Sequence, residues 1–248
     1  QDIAKVLGGQ LLGEERTIAA VSSDSRQIPA DCLFVALKGE RFDGHSFCAQ
    51  AVADGAAALL VSDPLPVAVP QVLVPDTRYA LGQLGAMVRN RVAPKVIAIT
   101  GSCGKTTVKE MCAAILRAQA RRDGFGEESV LATRGNLNND IGMPLTLLEL
   151  RDFHRAAVIE MGMSHPGEIA YLSALAQPTV AIVTNAQRAH LQGMGTLEEV
   201  AHEKGSIYAG LGSAGVAVIN ADDAHAGLWR ELNAGRDIVT FGIDQAAD

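Results

Sequence analysis

The chain has 248 residues, 48% of them hydrophobic and 25 of them glycine, which suits one large or two modest packed domains and argues against disorder. A net charge of −7 and only 4% aromatic residues supply neither a basic surface nor stacking platforms, so no nucleic-acid partner is expected. No apolar run reaches the roughly 18 residues that span a bilayer, the residues after Gln1 carry no secretory leader pattern, and Cys32, Cys48, Cys103 and Cys112 lack the paired spacing of a zinc site or disulfide framework; together these point to a reducing cytoplasm and no membrane insertion.

Over residues 1–93 the pattern predicts small strands mixed with short helices. The apolar runs at 32–37, 58–61 and 71–74 read as strands, and 46–54 reads as a helix closed by Gly55. Two polar stretches, 22–26 and 38–45, follow apolar residues directly, and each is either a binding loop or a solvated turn. Leu81, Leu84, Val88 and Val92 then recur at helical spacing over 77–92, and Pro94 stops the helix and sets a domain boundary.

Beyond Pro94, strands alternate with helices, the sequence form of parallel βαβ units. Strands are expected at 96–100, 156–160, 179–184 and 215–219. Helices are expected after residue 104, with Val108, Met111, Cys112, Ile115 and Leu116 against the sheet, and at 141–150, 167–176 and 196–209, the last opening on the capping-box spelling Thr196-Leu197-Glu198-Glu199. The fold class is therefore α/β: a small mixed N-terminal domain, 1–93, and a mostly parallel, P-loop ATPase-like central sheet flanked by helices, 94–248.

The first strand of this second region runs into Gly101-Ser102-Cys103-Gly104-Lys105-Thr106-Thr107. Backbone N–H groups of a glycine turn and a helix start suit phosphate oxygens, and the lysine and threonine add a cation and a metal-ligating hydroxyl. The standard pattern requires glycine at position 99, where Ile99 stands; the glycine comes at Gly101 and makes a compact G-x-x-G-K-T.

In open parallel sheets ligands bind at the carboxyl ends of strands, and here those ends are polar: Glu160, then Thr184-Asn185 with His190 nearby, then Asn220 with Asp222-Asp223. Glu160 could hold Mg²⁺ opposite the phosphates or be a solvated strand end. His190 by itself reads as a structural or surface histidine as readily as a metal ligand. Lys204 falls on the apolar stripe of Val200, Ile207, Tyr208 and Leu211, so it is either buried, needing a partner or altered chemistry, or it snorkels to solvent.

Taken together, these motifs resemble the Mur ligases, the ATP-dependent amide-forming enzymes of peptidoglycan precursor synthesis. The likeness rests on Thr100 through Thr107, on Thr133-Arg134-Gly135-Asn136-Leu137-Asn138-Asn139-Asp140-Ile141-Gly142-Met143-Pro144-Leu145-Thr146, on Glu160-Met161-Gly162-Met163-Ser164-His165-Pro166-Gly167-Glu168-Ile169, and in the first region on Asp24-Ser25-Arg26 and Phe34-Val35-Ala36-Leu37-Lys38-Gly39 with Asp43-Gly44-His45. The resemblance implies ligation of D-alanyl-D-alanine to a UDP-N-acetylmuramoyl tripeptide by a monomeric enzyme of the bacterial cytoplasm. Sister ligases that add diaminopimelate, lysine or polyglutamate share the mechanism, and a P-loop NTPase of another specificity or a non-catalytic binding module are the rival readings.

Residue roles follow from the likeness. Gly101, Ser102, Cys103, Gly104, Lys105, Thr106 and Thr107 would bind ATP, with Asn220 and Asp222 near adenine and ribose. Thr106 and Glu160 would hold one Mg²⁺. His190 and a carbamylated Lys204 would support a second. Ser25, Arg26, Lys38, Gly39, Asp43, Gly44, His45, Asn136, Asn138 and Asn139 would meet the UDP substrate. The family's C-terminal Rossmann-like domain has no counterpart in the sequence, so the chain is expected to be a fragment.

Overall fold

The computed structural model describes residues 1–39, 42–187 and 195–248. The chain divides into two compact units, Gln1–Val88 and Arg89–Asp248.

The first unit begins with α1 (Asp2–Val6), β1 (Gln10–Leu12), β2 (Ala20–Ser22) and β3 (Cys32–Val35). A 3₁₀ turn (Gly44–Phe47) leads into α2 (Cys48–Ala53), then β4 (Ala58–Val61), β5 (Gln71–Leu73) and α3 (Thr77–Val92), which crosses the division. The sheet order is β1-β5-β4-β3-β2, with β1 antiparallel to β5 and the other pairs parallel. Every residue of β3 and β4 is buried, the continuous apolar character of parallel strands covered on both faces. Phe34, Cys48, Ala51, Leu59 and Val61 form the core. Sequence periodicity does not reveal α1, β1 or β2: α1 has five residues and the two strands three each, too short for a period to register.

The second unit contains β6 (Lys95–Thr100), α4 (Lys105–Arg122), β7 (Val130–Ala132), α5 (Gly142–Leu148), β8 (Ala156–Glu160), α6 (Glu168–Ala176), β9 (Val180–Val183), α7 (Leu197–Gly205), β10 (Val216–Asn220), α8 (Ala226–Leu232) and β11 (Asp237–Phe241). Its sheet is parallel throughout, in the order β11-β10-β9-β6-β8-β7. The strand that feeds the phosphate loop therefore lies in the interior of the sheet, between the strands ending at Glu160 and Val183. The two outermost strands, β7 and β11, go beyond the four expected; the first has three residues, and the second alternates in exposure as an edge strand does.

Helix starts and stops follow local chemistry. Thr196 and Glu199 form the capping box that the sequence spells, and α7 then tightens into a 3₁₀ turn (Ser206–Gly210). The N-terminus of α6 takes its cap from another helix: Glu203 accepts from Gly167 N–H (2.8 Å) and Ile169 N–H (2.9 Å). Arg89 donates to the carbonyls of Ala176 (2.7 Å) and Gln177, tying the last turn of α3 to the end of α6 within the second unit.

One expectation is corrected. On α4, Val108, Cys112 and Leu116 pack with Ala113 against Ile99, Val158 and Ile182, but Met111 and Ile115 are 61% and 67% exposed. Residues 108, 112 and 116 form an i, i+4, i+8 row facing the sheet, and each step back to 111 and 115 turns the side chain about 100° away. Accordingly, urea unfolding should show Ile99→Ala costing about 2–5 kcal/mol and Met111→Gln changing stability by less than about 0.5 kcal/mol. Equal effects would contradict the observed facing of α4.

Candidate functional site

The loop at 101–104 is held by the segment that leaves β9. Thr184 Oγ1 donates to Cys103 O (2.7 Å), Asn185 Oδ1 accepts from Cys103 N–H (3.0 Å), and Asn185 Nδ2 donates to Cys103 O (3.1 Å). Ser102 N–H donates to Asn185 O (3.0 Å), and Ser102 Oγ donates to Gln187 O (3.1 Å) while accepting from Gln187 N–H (2.9 Å). Gly101 has φ +152°, and a Cβ there would lie 1.8 Å from Thr184 Oγ1, so both conformation and space require glycine. Gly104 caps α4 in the left-handed conformation, φ +80°.

Val108 N–H makes the first helical bond, to Gly104 O (3.0 Å), so the amides of Lys105, Thr106 and Thr107 lie in the donor turn of a helix start. Lys105 Nζ folds back to Gly101 O (2.9 Å). This ammonium, the helix start and an exposed Cys103 make a compact anion cradle.

Glu160 ends β8 with 2% exposure. Its Oε2 accepts from Thr106 Oγ1 (2.9 Å), its Oε1 from Asn138 Nδ2 (2.8 Å), and its backbone N–H donates to Thr133 Oγ1 (3.0 Å). It is thus a fixed carboxylate beside the phosphate loop and not a solvated strand end. Among the described residues no group of three or more His, Cys, Asp or Glu side chains is arranged to hold a metal. The Thr106 hydroxyl and Glu160 carboxylate are nevertheless a hard oxygen pair of the kind Mg²⁺ takes when phosphates and water complete its shell, so the donor set fits that ion.

Lys204 is 2% exposed and does not snorkel. Among the described residues the hydrogen-bond contact of its Nζ is the thioether of Met163 at 4.0 Å. Burial, reinforced by repulsion from Lys105, depresses its pKa to about 8. His190 lies outside the described residues. Asn220 Nδ2 donates to Thr184 O (2.9 Å), bracing the segment that braces the loop. Asp222 accepts N–H bonds from Ile243 (2.6 Å), Asp244 (3.1 Å) and Gln245 (2.8 Å), which hold its carboxyl below the usual range; here it fastens the turn after β11.

The asparagine-rich stretch also has structural work. Asn138 binds Glu160, and Asn139 Oδ1 accepts from Gly142 N–H (2.8 Å) at the start of α5. A Cβ on Gly142 would lie 2.5 Å from the Leu137 backbone. For Asn136, the backbone carbonyl accepts from Asn138 N–H (2.8 Å).

In the first unit, Arg26 pairs with Asp24 on an exposed turn and draws that carboxyl down to about 2. Ser25 lies between them. Lys38 and Asp43 pair through their backbones in an isolated antiparallel bridge, and Gly39 N–H donates to Phe42 O (2.9 Å). Gly44 packs on strand-end backbone, where a Cβ would come 2.6 Å from Leu37 O. His45 Nδ1 meets Asp43 Oδ1 (2.6 Å), and its Nε2 lies 2.9 Å from Ser62 N and 3.1 Å from Ser62 Oγ. The Asp-His-Ser order imitates a hydrolase triad, but Nε2 already accepts the Ser62 backbone N–H and has no lone pair left for a hydroxyl proton. The arrangement ties the 3₁₀ turn at Gly44–Phe47 to the end of β4, where a parallel sheet presents ligands.

A cleft of about 760 Å³ runs along β7, lined by Arg117, Arg134, Glu149, Arg151 and His154 among others. It includes Thr133, Arg134 and Gly135 from the asparagine-rich motif but none of residues 101–107. Two features of the phosphate site escape the sequence reading. Thr184 and Asn185, expected to face ligand, hold the loop instead. Lys109 is buried at 2% exposure, and its spacing with Ala113, Leu116 and Ala120 on the sheet side of α4 was the available signal.

Residues 99–248 match the Mur ligase middle domain, and residues 17–89 match the Mur ligase family catalytic domain. The chain is 48% identical over 244 residues to the UDP-N-acetylmuramoyl-tripeptide–D-alanyl-D-alanine ligase of Escherichia coli strain K12, covering 98% of this chain and 52% of that protein. It superposes on MurF from Acinetobacter baumannii with a TM-score of 0.90 at 42% identity, covering 97% of this chain and 52% of that one. With MurF ligase from Thermotoga maritima in complex with ADP, the TM-score is 0.79 at 32% identity, covering 91% and 51%. The chain spans about half the length of the curated relatives it matches. A compact G-x-x-G-K-T loop, the buried glutamate beside it and a matching family model over more than half the residues agree: the chain belongs to the Mur ligase family.

Proposed function

We propose that this chain binds ATP and a UDP-N-acetylmuramoyl tripeptide for a ligase that joins the tripeptide to D-alanyl-D-alanine through an acyl phosphate. The observation that carries the reading is the Thr106–Glu160 pair set 2.9 Å apart at the end of a glycine loop beside Lys105, in a chain 48% identical to a ligase of that name. In the proposed reaction a carboxylate oxygen of the tripeptide attacks the γ-phosphorus and ADP leaves. The amine of D-alanyl-D-alanine then attacks the acyl carbon, and phosphate leaves. Carboxylate and triphosphate repel each other, and the Lys105 ammonium with the first-turn amides of α4 offsets that repulsion while fixing the phosphates for in-line transfer. Mg²⁺ held by Thr106 and Glu160 would neutralise phosphate charge as it develops. Residues 1–93 would take the UDP moiety, with the loops at 22–26 and 38–45 as the contact surface.

Lys204 deepens the reading. An amine with a pKa of about 8 keeps roughly one molecule in ten neutral at pH 7, and that fraction is nucleophilic. Attack on CO₂ forms a carbamate and releases one proton, turning the buried cation into an anion beside Lys105. With His190, this anion would hold the second Mg²⁺. Four free thiols suit a reducing cytoplasm, and no helix among the described residues is long and apolar enough to cross a membrane.

Calorimetry on the chain should detect both MgADP and the UDP-tripeptide. Lys105→Met should weaken ADP at least tenfold, and Glu160→Gln should abolish the enhancement by Mg²⁺ while leaving metal-free ADP affinity within about twofold. ADP affinity that ignores Lys105→Met would refute the loop assignment, and absent UDP-tripeptide binding would refute the substrate assignment.

The Lys204 amine also has a stability signature in CO₂-free buffer. Its folded pKa, about 8, lies below its ordinary 10.5, so between those values the unfolded chain binds more protons and stability rises with pH. The penalty is complete below pH 8. Lys204→Met should therefore be more stable than the parent at pH 7, on the order of 3 kcal/mol, with the gap closing toward pH 10.5. A pH-independent gap would show that Lys204 is not a buried amine. With ¹³C-bicarbonate added, a carbamate carbon resonance should appear in the parent and not in Lys204→Met; its absence from both would remove carbamylation from the proposal.

A further inference from the structure

Lys109 belongs to none of the roles above, yet it is one of the largest fully buried side chains in the molecule. It lies three residues after Thr106 on α4, so the two side chains share a helix face. Its Nζ donates to Thr133 O (2.8 Å) and pairs with Glu110 Oε1 (2.7 Å). Glu110 is 61% exposed, so that pair is an ion pair at the rim, whereas the bond to Thr133 is wholly buried.

Thr133 also faces the metal-binding glutamate. Its Oγ1 accepts Glu160 N–H (3.0 Å), and its own N–H donates to Val158 O (3.0 Å), so it bridges the ends of β7 and β8. From Glu160 the path returns to α4 through Thr106 Oγ1 (2.9 Å). The four residues thus close a ring: Lys109 to Thr133, Thr133 to Glu160, Glu160 to Thr106, and Thr106 back to Lys109 along one helical turn. Asn138, in the loop that starts at Thr133, fixes the other carboxylate oxygen.

We propose that Lys109 is a positioning residue for the Mg²⁺ site: by holding the Thr133 carbonyl it fixes the 133–139 loop and the end of β8, and so sets one oxygen of Glu160 against Thr106 and the other against Asn138. The inference rests on the reading of Thr106 and Glu160 as the Mg²⁺ pair. A buried carbonyl loses its partner when Lys109 is removed, and the loop must move to find water or another donor. Glu160 would keep its charge but lose its alignment. Lys105, four residues earlier on the helix, makes its own bond to Gly101 and stays in place.

The test measures a fluorescent ADP analogue binding to the full chain over a Mg²⁺ titration, for the parent, Lys109→Met and Glu110→Gln, together with amide hydrogen exchange in the absence of metal. Lys109→Met should raise the Mg²⁺ concentration for half-maximal enhancement about tenfold while metal-free affinity stays within twofold. The Glu160 amide and residues 133–139 should exchange at least tenfold faster. Glu110→Gln, which removes the rim pair and leaves the Thr133 bond, should behave as the parent. A parent with no Mg²⁺ dependence would overturn the metal assignment itself. A Mg²⁺-dependent parent with an unchanged Lys109→Met would overturn this inference alone, as would a Glu110→Gln variant as impaired as Lys109→Met. If Lys109→Met does not fold, Lys109→Arg keeps a donor within reach of Thr133, and it should retain Mg²⁺ dependence within threefold of the parent; a tenfold loss there would also count against the proposal.

Discussion

The contact between Gly101 and Thr184 governs the site. A strand in the interior of a parallel sheet can deliver a phosphate loop only if the loop turns sharply over its neighbour, and here the turn leaves no room for a Cβ: the Thr184 hydroxyl would stand 1.8 Å from one. The same hydroxyl and the Asn185 amide then bind both polar atoms of the Cys103 peptide. A loop two residues shorter than the common pattern has less chain with which to wrap phosphates. Bracing from the adjacent strand offsets this, because a loop already held in its bound shape loses little entropy when an anion arrives.

A second constraint follows from the sheet order. With β8 beside β6, the last residue of β8 lies next to the first turn of α4, and that residue is Glu160. Carboxylate oxygens placed there by a buried backbone cannot relax away from the hydroxyl of Thr106. Both oxygens are used, one by Thr106 and one by Asn138, so the group is aimed before any cation is present. Pre-aiming matters more for Mg²⁺ than for larger cations, since its small octahedral shell tolerates little angular error.

Much of this was legible in the sequence. The central strands announced themselves because buried parallel strands are unbroken apolar runs, and the polar residue that ends each such run names the ligand edge. The capping box of α7 and the loop Gly101 to Thr107 are local spellings with local consequences. What stayed hidden depends on registry between segments far apart in the chain. Nothing around Thr184 or Asn185 indicates that they grip a loop some 80 residues upstream, and three-residue strands such as Val130–Ala132 carry too few side chains to show a period. Met111 and Ile115 were misplaced for a related reason: a helix with apolar residues on more than one row can turn either toward the sheet, and the sheet takes the row of Val108, Cys112 and Leu116.

The remaining tension lies in the lysines. Three lysines differ in what their ammonium groups meet: Lys105 on the loop, Lys109 one turn further along α4, and Lys204 on α7. Two have oxygen partners within 2.9 Å, whereas Lys204 faces a thioether. A fold selected for stability alone would replace such a residue by methionine, since a buried cation with no oxygen hydrogen-bond partner among the described residues opposes folding and an apolar chain of similar length does not. Retaining it is intelligible if the resting protein is not the state in which the residue acts.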